Sequence, residues 1–543
     1  MYYIGVDLGT SAVKLLLMAG AGKILNVVSR EYPLRFPQPG WSEQDPQDWI
    51  WESFAGIREL TADIDRTQVA GIGCGGQMHG LVALDAEDRV IRPAILWNDG
   101  RTEEETAWLN TAVGKERLSA LTANIAFAGF TAPKILWMRK NEPENFARIA
   151  KIMLPKDYIN YKLTGVHSCD YSDASGMLLL DVEHKRWSGE MLEICGLKEE
   201  QMPRLFESCE PVGTIRGFVS GALGLPRGCL VVAGAGDNAA AAVGTGVVGE
   251  GGCNLSLGTS GTLFISSKTF CAAPRNALHA FAHADGGWHL MACMLSAASC
   301  NKWLCEDILG TSGTLFISSK AFGVDPNNAL HAFAHADGGF HLMGCMLSAA
   351  SCNKWFCDEI LKTGDYAAEQ RDIADERLGR NRVFFLPYLM GERSPINDVD
   401  ARGTLIGMTM DTSRADLVQA VLEGVAFAIR DSFEVAKSLG VPVDRSKLCG
   451  GGAKSPLWRT ILANVLGVPL ELPTAEEGPG FGGAMLAMVG CGVYGSVQAA
   501  ADALVELAST TEPEPALTAR YEAQYQKYRR IYPALKAVFP EIQ

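Results

Sequence analysis

The stretch LGTSGTLFISSK occurs twice in the chain, at residues 257–268 and again at residues 309–320. It opens a longer tandem repeat, in which residues 257–308 and 309–360 are identical at 42 of 52 positions, with differences such as Trp288 against Phe340 and Arg275 against Asn327. One place in a close-packed core can be filled only once, so any fold for this chain must seat one copy and accommodate the other. A solenoid needs at least three units and runs through most of its chain. One doubled block is not that architecture, and subtracting 52 from 543 leaves 491 residues, enough for two or more domains.

Within a copy, NALHAFAHADGGWHLMACML alternates with period two on both sides of Asp285, Gly286 and Gly287, the pattern of a hairpin. Ser296 is then placed to cap an apolar helical run through Ile308. The HAFAH unit does not read as a metal site. On a strand, His279 and His283 would sit roughly 13 Å apart at about 3.3 Å per residue, whereas zincin-type chelation takes two histidines on adjacent helical turns.

Outside the repeat, strand-like and helix-like segments alternate. YYIGVDLG, SAVKLLLMA and KILNVVSRE read as three strands with tight turns, and VAGIGCGG, CLVVAGAG and KLCGGGA as apolar strands that end in glycine. That is α/β architecture, with functional loops at the strand ends. A net charge of -14 and a pI near 5.2 argue against a nucleic-acid surface. No apolar run reaches membrane-spanning length, and the N-terminus lacks a basic leader. Fifteen cysteines are scattered without a CxxC, the pattern of a reducing cytoplasm.

Four loops carry the chemistry. In DLGTS, a strand delivers Asp7, Gly9 permits a sharp turn, and the hydroxyls and N–H groups of Thr10 and Ser11 face whatever enters, a phosphate fitting well; an ordinary hairpin turn is the alternative. SLGTSGT repeats that chemistry at Gly258, Thr259 and Ser260, which suggests two related domains facing one polyphosphate. CGGGAKSPLW places Gly451, Gly452 and Ala453 between a strand and a helix, where backbone can approach a flat ligand closely or simply turn. In VVAGAGDNAAAAVGTG, Asp237 stands between a buried strand and an Ala-rich helix, either as an N-cap, as a carboxylate facing a cleft, or as both.

DLGTS, GQMHG (residues 76–80), ILWNDGR (95–101), GFTAPKILWMRKN (129–141), LPKDY (154–158), AGAGDNAA, SLGTSGT, MLSAASC, FLPYLMGERSP and GGGAKS stand in the order found in the FGGY carbohydrate kinases, and the chain resembles that family over nearly its whole length. GFTAPKILWMRKN and GTLIGMTMDTSRADLVQAVLE look like the family's two signatures. The resemblance implies an α/β fold of two actin-like, ribonuclease-H-like domains, here residues 1–250 and 251–543, with ATP and sugar in the cleft between them. It implies ATP-dependent phosphorylation of a ketopentose, D-xylulose at its terminal hydroxyl, with L-xylulose, ribulose or another polyol as the alternative. Carried over by motif, Asp237 would be the general base, Asp7 would help hold Mg2+, and Met78 and His79, with Asp237 and Asn238, would line the ketose. Gly9, Thr10, Ser11, Gly258, Thr259 and Ser260 would cradle the ATP phosphates, and Gly451, Gly452 and Ala453 would meet the adenosine. The implied setting is cytoplasmic, with neither nucleic acid nor membrane as partner, and a homodimer would suit the family.

The family carries one copy of the repeated block. The first copy joins directly to the strand-like GGCNLS, whereas Leu309 follows WLCEDI, so the first copy is expected to hold the phosphate and the second to be surplus; a core assembled from both copies is the alternative. A sugar-binding protein whose catalysis is impaired by the extra block is the competing class.

Overall fold

The computed structural model describes residues 1–249, 253–258, 261–267, 270, 279–283, 288–293, 312–319, 331–334, 340–346, 350–389, 391–392, 395–396, 398, 400–438, 443–449, 451–474 and 478–542. The three strands read from the apolar runs at the start of the chain are present as β1 (Tyr2–Leu8), β2 (Ala12–Ala19) and β3 (Ile24–Glu31). β1 and β2 pair antiparallel from Tyr2↔Ala19 to Leu8↔Val13, which leaves residues 9–11 as the turn between them. Helix α1 (Pro46–Leu60), capped by Asp45, buries Trp49, Ile50, Ile57 and Leu60 against the hairpins.

The glycine-ended run VAGIGCGG forms β4 (Val69–Gly76), parallel to β1. After α2 (Thr131–Asn141) and α3 (Pro155–Thr164), strands β5 (Pro211–Thr214), β6 (Leu230–Val232) and β7 (Ala235–Gly236) complete a seven-stranded sheet in the order β5-β6-β4-β1-β2-β3, with β7 also on β4. The register decides what meets at its end. Asp7 pairs with Gly75 and Gly75 with Ala235; Leu8 pairs with Gly76 and Gly76 with Gly236. Because β1, β4 and β7 are parallel, their C-terminal ends lie at one edge, and the helix that begins at Asp237, α4 (Asp237–Gly244), starts there.

The second sheet has ten strands among the described residues. They are β8 (Cys253–Gly258), then β9 (Gly261–Ser267), β10 (His279–Ala282) and β11 (Trp288–Cys293) from the first copy of the repeat. The second copy gives β12 (Ser312–Ser319), β13 (His331–Ala334) and β14 (Phe340–Met346). β15 (Ser446–Cys449), β16 (Leu470–Pro473) and β17 (Leu507–Thr511) close the sheet. The hairpin read from the period-two pattern is present in both copies, Ala282 facing Trp288 and Ala334 facing Phe340. The helical run expected after Ser296 lies outside the described residues.

β8 pairs antiparallel with both copies at equivalent positions: Leu255 faces Leu263 of the first and Leu315 of the second. The copies differ in what else they meet. Phe281, Ala282 and His283 of the first are buried against the N-terminal half, where the Ala282 N–H reaches the Ser175 hydroxyl and the Trp288 indole N–H donates to the Val182 carbonyl at 2.5 Å. Strands β12 and β14 of the second pack on α5 (Arg414–Ser438), a 25-residue helix of the C-terminal half.

After α6 (Pro456–Leu466), one late helix crosses to the other half. α7 (Gly478–Gly490) lies on β1, β4 and α4. Its glycines permit that approach. A Cβ on Gly5 would overlap the Gly480 carbonyl oxygen, one on Gly73 the Gly483 carbonyl oxygen, and one on Gly482 the carbonyl oxygen of Ala240. This backbone-on-backbone contact between α4 and α7 explains why the sequence GPGFGGAMLAMVG is apolar all round.

Candidate active site

Asp237 stands where β7 turns into α4. Gly236 is the N-cap residue, so Asp237 is the first residue of the helix rather than the cap that its position in the sequence suggests. Its Oδ1 accepts the Asn238 N–H at 2.7 Å and the Asn238 side-chain amide at 3.0 Å. Burial raises its pKa to about 6, and the two bonds from Asn238 hold it from rising further. The side chain is nevertheless partly open, a carboxylate poised near neutral pH at the mouth of a sheet.

Behind it lies a buried polar chain. The Gly236 N–H donates to Ser172 Oγ at 3.1 Å; the Ser172 hydroxyl donates to Asp170 Oδ2, which also accepts the Ser208 hydroxyl at 2.8 Å. Lys156, from LPKDY, pairs with Asp170 at 2.8 Å, Asp157 at 2.6 Å and Asp173 at 3.6 Å, every member fully buried. Burial would strip the Lys156 proton, but three carboxylates outweigh it and hold its pKa well above the usual lysine value. Burial pushes Asp173 the other way, well above the carboxylate range, against the pull of Lys156. The strand before Asp237 is thus tied to a network that a one-dimensional reading of DYSDAS does not reveal.

Met78 and His79 follow β4. A Cβ on Gly236 would come within 3.0 Å of Met78 Sδ, so the thioether lies directly beside the residue that precedes Asp237. His79 is 5 % exposed and its Nδ1 lies 2.8 Å from the Gly176 carbonyl oxygen. The imidazole stacks on Phe130 at 4.7 Å, and Phe281 of the first repeat copy packs against both rings, 5.9 Å from the imidazole and 6.1 Å from Phe130. Of the residues read from the sequence as lining the ketose, Met78 thus lies beside the turn into Asp237, and His79 follows it in a pocket of Gly176, Phe130 and Phe281.

The turn of residues 9–11 is held from four directions. The Gly9 carbonyl accepts the Tyr32 hydroxyl and the Gln77 amide at 3.3 Å; the Thr10 carbonyl accepts the Gln44 amide at 2.6 Å; and Thr10 Oγ1 accepts the Trp97 indole N–H at 2.9 Å. Ser11 is exposed. Asp7 lies two strands from the end of β7, roughly 10 Å across the ladder at about 4.8 Å per strand. Its charge, with burial as the larger cause, raises the Tyr32 phenol well above its ordinary pKa. Gly480 of α7 lies beside it, where a Cβ would sit in ordinary contact with the Leu16 and Asp7 Cβ atoms, at 3.6 and 3.9 Å.

On the other half, Gly258 ends β8, while Thr259 and Ser260 lie outside the described residues. Gly451, Gly452 and Ala453 form a single 3-10 turn with Lys454 after β15. The helix read from the sequence after this loop is present as α6 and ends at Leu466 as expected, with Ser455 Oγ accepting the Trp458 N–H at 3.1 Å to cap it. A surface groove of 560 Å³ lined by Glu105, Trp108, Leu136 and Arg139 contains none of these residues. The site is therefore defined by its chemistry rather than by that concavity.

The family model described as the FGGY family of carbohydrate kinases, N-terminal domain, matches residues 2–244, and its C-terminal counterpart matches residues 307–491. The second match takes in the whole second repeat copy and only the last two residues of the first. A xylulose kinase of Escherichia coli (strain K12) is 38% identical over 535 residues, covering 98% of this chain and 99% of its own. The crystal structure of a xyloylose kinase from Brucella ovis superimposes with a TM-score of 0.85 at 38% identity, over 99% of this chain and 100% of that one. A xylulose kinase from Rhodospirillum rubrum gives 0.85 at 26% identity, over 99% and 100%. The chain shares with these structures the two-domain actin-like, ribonuclease-H-like fold. Among the described residues no helix is long and apolar enough to cross a membrane.

Proposed function

The chain belongs to the FGGY family of carbohydrate kinases, and on that premise we propose that it transfers the γ-phosphoryl group of ATP to the terminal hydroxyl of D-xylulose, giving D-xylulose 5-phosphate and ADP. The observation that carries the reading is Asp237: a part-open carboxylate with a pKa of about 6, one residue beyond the strand on which Met78 rests.

In this reading the sugar lies against Met78 and His79 with its terminal hydroxyl toward Asp237. As the hydroxyl oxygen forms its bond to the γ-phosphorus, the bond from that phosphorus to the β,γ-bridging oxygen breaks, ADP carries away the electron pair, and the hydroxyl proton passes to an Asp237 oxygen. Asn238 keeps the carboxylate aimed, and the Ser172–Asp170 chain holds the strand behind it. The turn of residues 9–11 and the glycine at 258 cradle phosphate oxygens from opposite halves, and Gly451, Gly452 and Ala453 meet the adenosine. Asp7, a half-buried carboxylate one residue before the end of β1, offers the hard oxygen ligand that an Mg2+ ion takes, and the ion would neutralise charge on the transferring phosphates. The reading carries a cytoplasmic setting and a homodimer with it as further proposals.

Initial rates with ATP and Mg2+ across D-xylulose, L-xylulose, ribulose, hexuloses, glycerol and gluconate test the substrate. The expected result is the highest kcat/KM with D-xylulose; a clear preference for glycerol or gluconate overturns it, and binding of D-xylulose without ATP consumption turns the protein into a sugar binder.

A further inference from the structure

The signature GFTAPKILWMRKN has so far no task in the mechanism, and its lysine is unusual. Lys134 is fully buried, in the first turn of α2, where burial lowers its pKa to about 7 with Asp99 opposing the shift. Lysines are seldom buried without an acid to meet them, yet the Lys134 ammonium donates to two backbone carbonyls, that of His79 at 3.1 Å and that of Gly129. An amine that has lost its proton still keeps two N–H donors, so both bonds survive in either protonation state.

His79 is itself an outlier. Its φ is 68°, in the left-handed region that non-glycine residues rarely enter, and such a conformation persists only where its surroundings over-determine it. Three residues of the signature do so. Phe130 stacks on the imidazole, and the Thr131 hydroxyl donates to the His79 carbonyl at 3.0 Å; Lys134, three residues on and therefore on the same helical face, donates to that carbonyl as well. Gly176 is close enough that a Cβ there would reach the imidazole at 2.5 Å, so the ring cannot move toward Gly176.

We propose that Lys134, with Thr131, is a positioning residue for the sugar: it holds the carbonyl of His79, and through it the left-handed turn that presents Met78 and His79 to the ketose beside Asp237. This rests on the reading that Met78 and His79 line the ketose. The clamp acts on Met78 and His79 directly and reaches the turn of residues 9–11 only through Gln77, whose amide donates to the Gly9 carbonyl, so its loss is expected to fall on the sugar before the nucleotide.

The test uses the full chain and measures KM for D-xylulose, KM for ATP and thermal unfolding for Lys134→Met, Thr131→Val, Thr131→Ser and His79→Ala. Lys134→Met is expected to raise the D-xylulose KM by about tenfold or more, the scale of a lost hydrogen bond from a charged group, with the ATP KM within about twofold. Thr131→Val, which removes one donor of two, should raise the sugar KM by about threefold to tenfold, and Thr131→Ser, which keeps the hydroxyl, should restore it. A cooperatively unfolding Lys134→Met protein with an unchanged sugar KM, or one in which both KM values rise together, overturns the clamp. Should Lys134→Met not fold, Thr131→Val decides, an unchanged sugar KM again overturning it. His79→Ala separates the premise from the proposal: an unchanged sugar KM there removes His79 from the sugar site, whereas a raised one beside a normal Lys134→Met rejects the clamp alone.

Discussion

The turn after β1 and the turn after β8 begin with the same four letters, LGTS, and are specified by different means. The first is fixed by side chains that occur once in the molecule: Trp97 and Gln44 on Thr10, Tyr32 and Gln77 on Gly9. The second follows a strand that accepts two antiparallel partners at equivalent positions, Leu263 and Leu315 both facing Leu255. Backbone ladders carry no residue identity, so a duplicated strand finds the same ladder twice, while a turn braced by unique side chains has one solution. The two copies diverge only in what lies beyond the ladder. The first reaches His79 and Ser175 through Phe281 and Ala282; the second reaches α5 and falls within the C-terminal family match. The expectation that the first copy alone is seated thus meets observations that favour each copy at a different face.

The comparison breaks hardest at the residue that both turns are proposed to serve. Asp237→Asn keeps the shape of the side chain and removes the base, and turnover with D-xylulose should fall by about 10² to 10⁴, measured by coupled ADP release; near-normal turnover would make Asp237 a structural residue. In the proposed mechanism the carboxylate form is the active one, and burial raises its pKa to about 6. The logarithm of kcat/KM should therefore rise with a slope of about one below pH 6 and level off above it, and a flat profile from pH 5 to 8 would contradict the assignment.

Next in size is the duplicated turn itself. Gly258→Asp sets a negative charge where phosphate is expected, and should raise the ATP KM by about tenfold to a hundredfold, since like-charge juxtaposition costs several kcal/mol; Gly310→Asp should change it little. Sensitivity at Gly310 instead would assign the phosphate to the second copy. Removing residues 309–360 should leave a folded kinase at least as active as the parent, because β8 keeps β9 as its partner.

On the braced side, Ser172→Ala leaves the buried Gly236 N–H without its acceptor. An unsatisfied buried donor costs about 1–3 kcal/mol, and kcat should drop by about tenfold with the ATP KM held; a loss of thermal stability with normal kcat would make the Ser172 chain purely structural. The smallest effect is expected for Trp97→Phe, which removes one neutral donor from Thr10 Oγ1. A net hydrogen bond of about 1 kcal/mol predicts a rise of about fivefold in ATP KM, and an effect as large as that of Gly258→Asp would mean that the turn after β1 is no better braced than the one after β8.

Local sequence determined much of this protein. Apolar runs ended by tight turns or glycines located β1, β2, β3, β4 and β15, and period-two alternation located the hairpin of the repeat, because a strand and the turn that ends it are set by neighbours within a few residues. The ordered motifs placed Asp7, Met78, His79 and Asp237 in one family pattern, and the register of β1, β4 and β7 brings their strand ends to one edge. The tertiary structure decided what no window of residues contains. Gly480 meets Gly5 across nearly the whole chain, Lys134 clamps His79 from 55 residues away, and Ser172 holds Gly236 from 64. Such contacts follow from which faces two distant elements bury against each other, and a buried lysine or an apolar glycine-rich helix looks the same in sequence whether it fills a core or serves a site. Even the capping of α4 turned on this: Asp237 has the composition of an N-cap, but β7 continues to Gly236, and that one extra strand residue moves the carboxylate into the first turn.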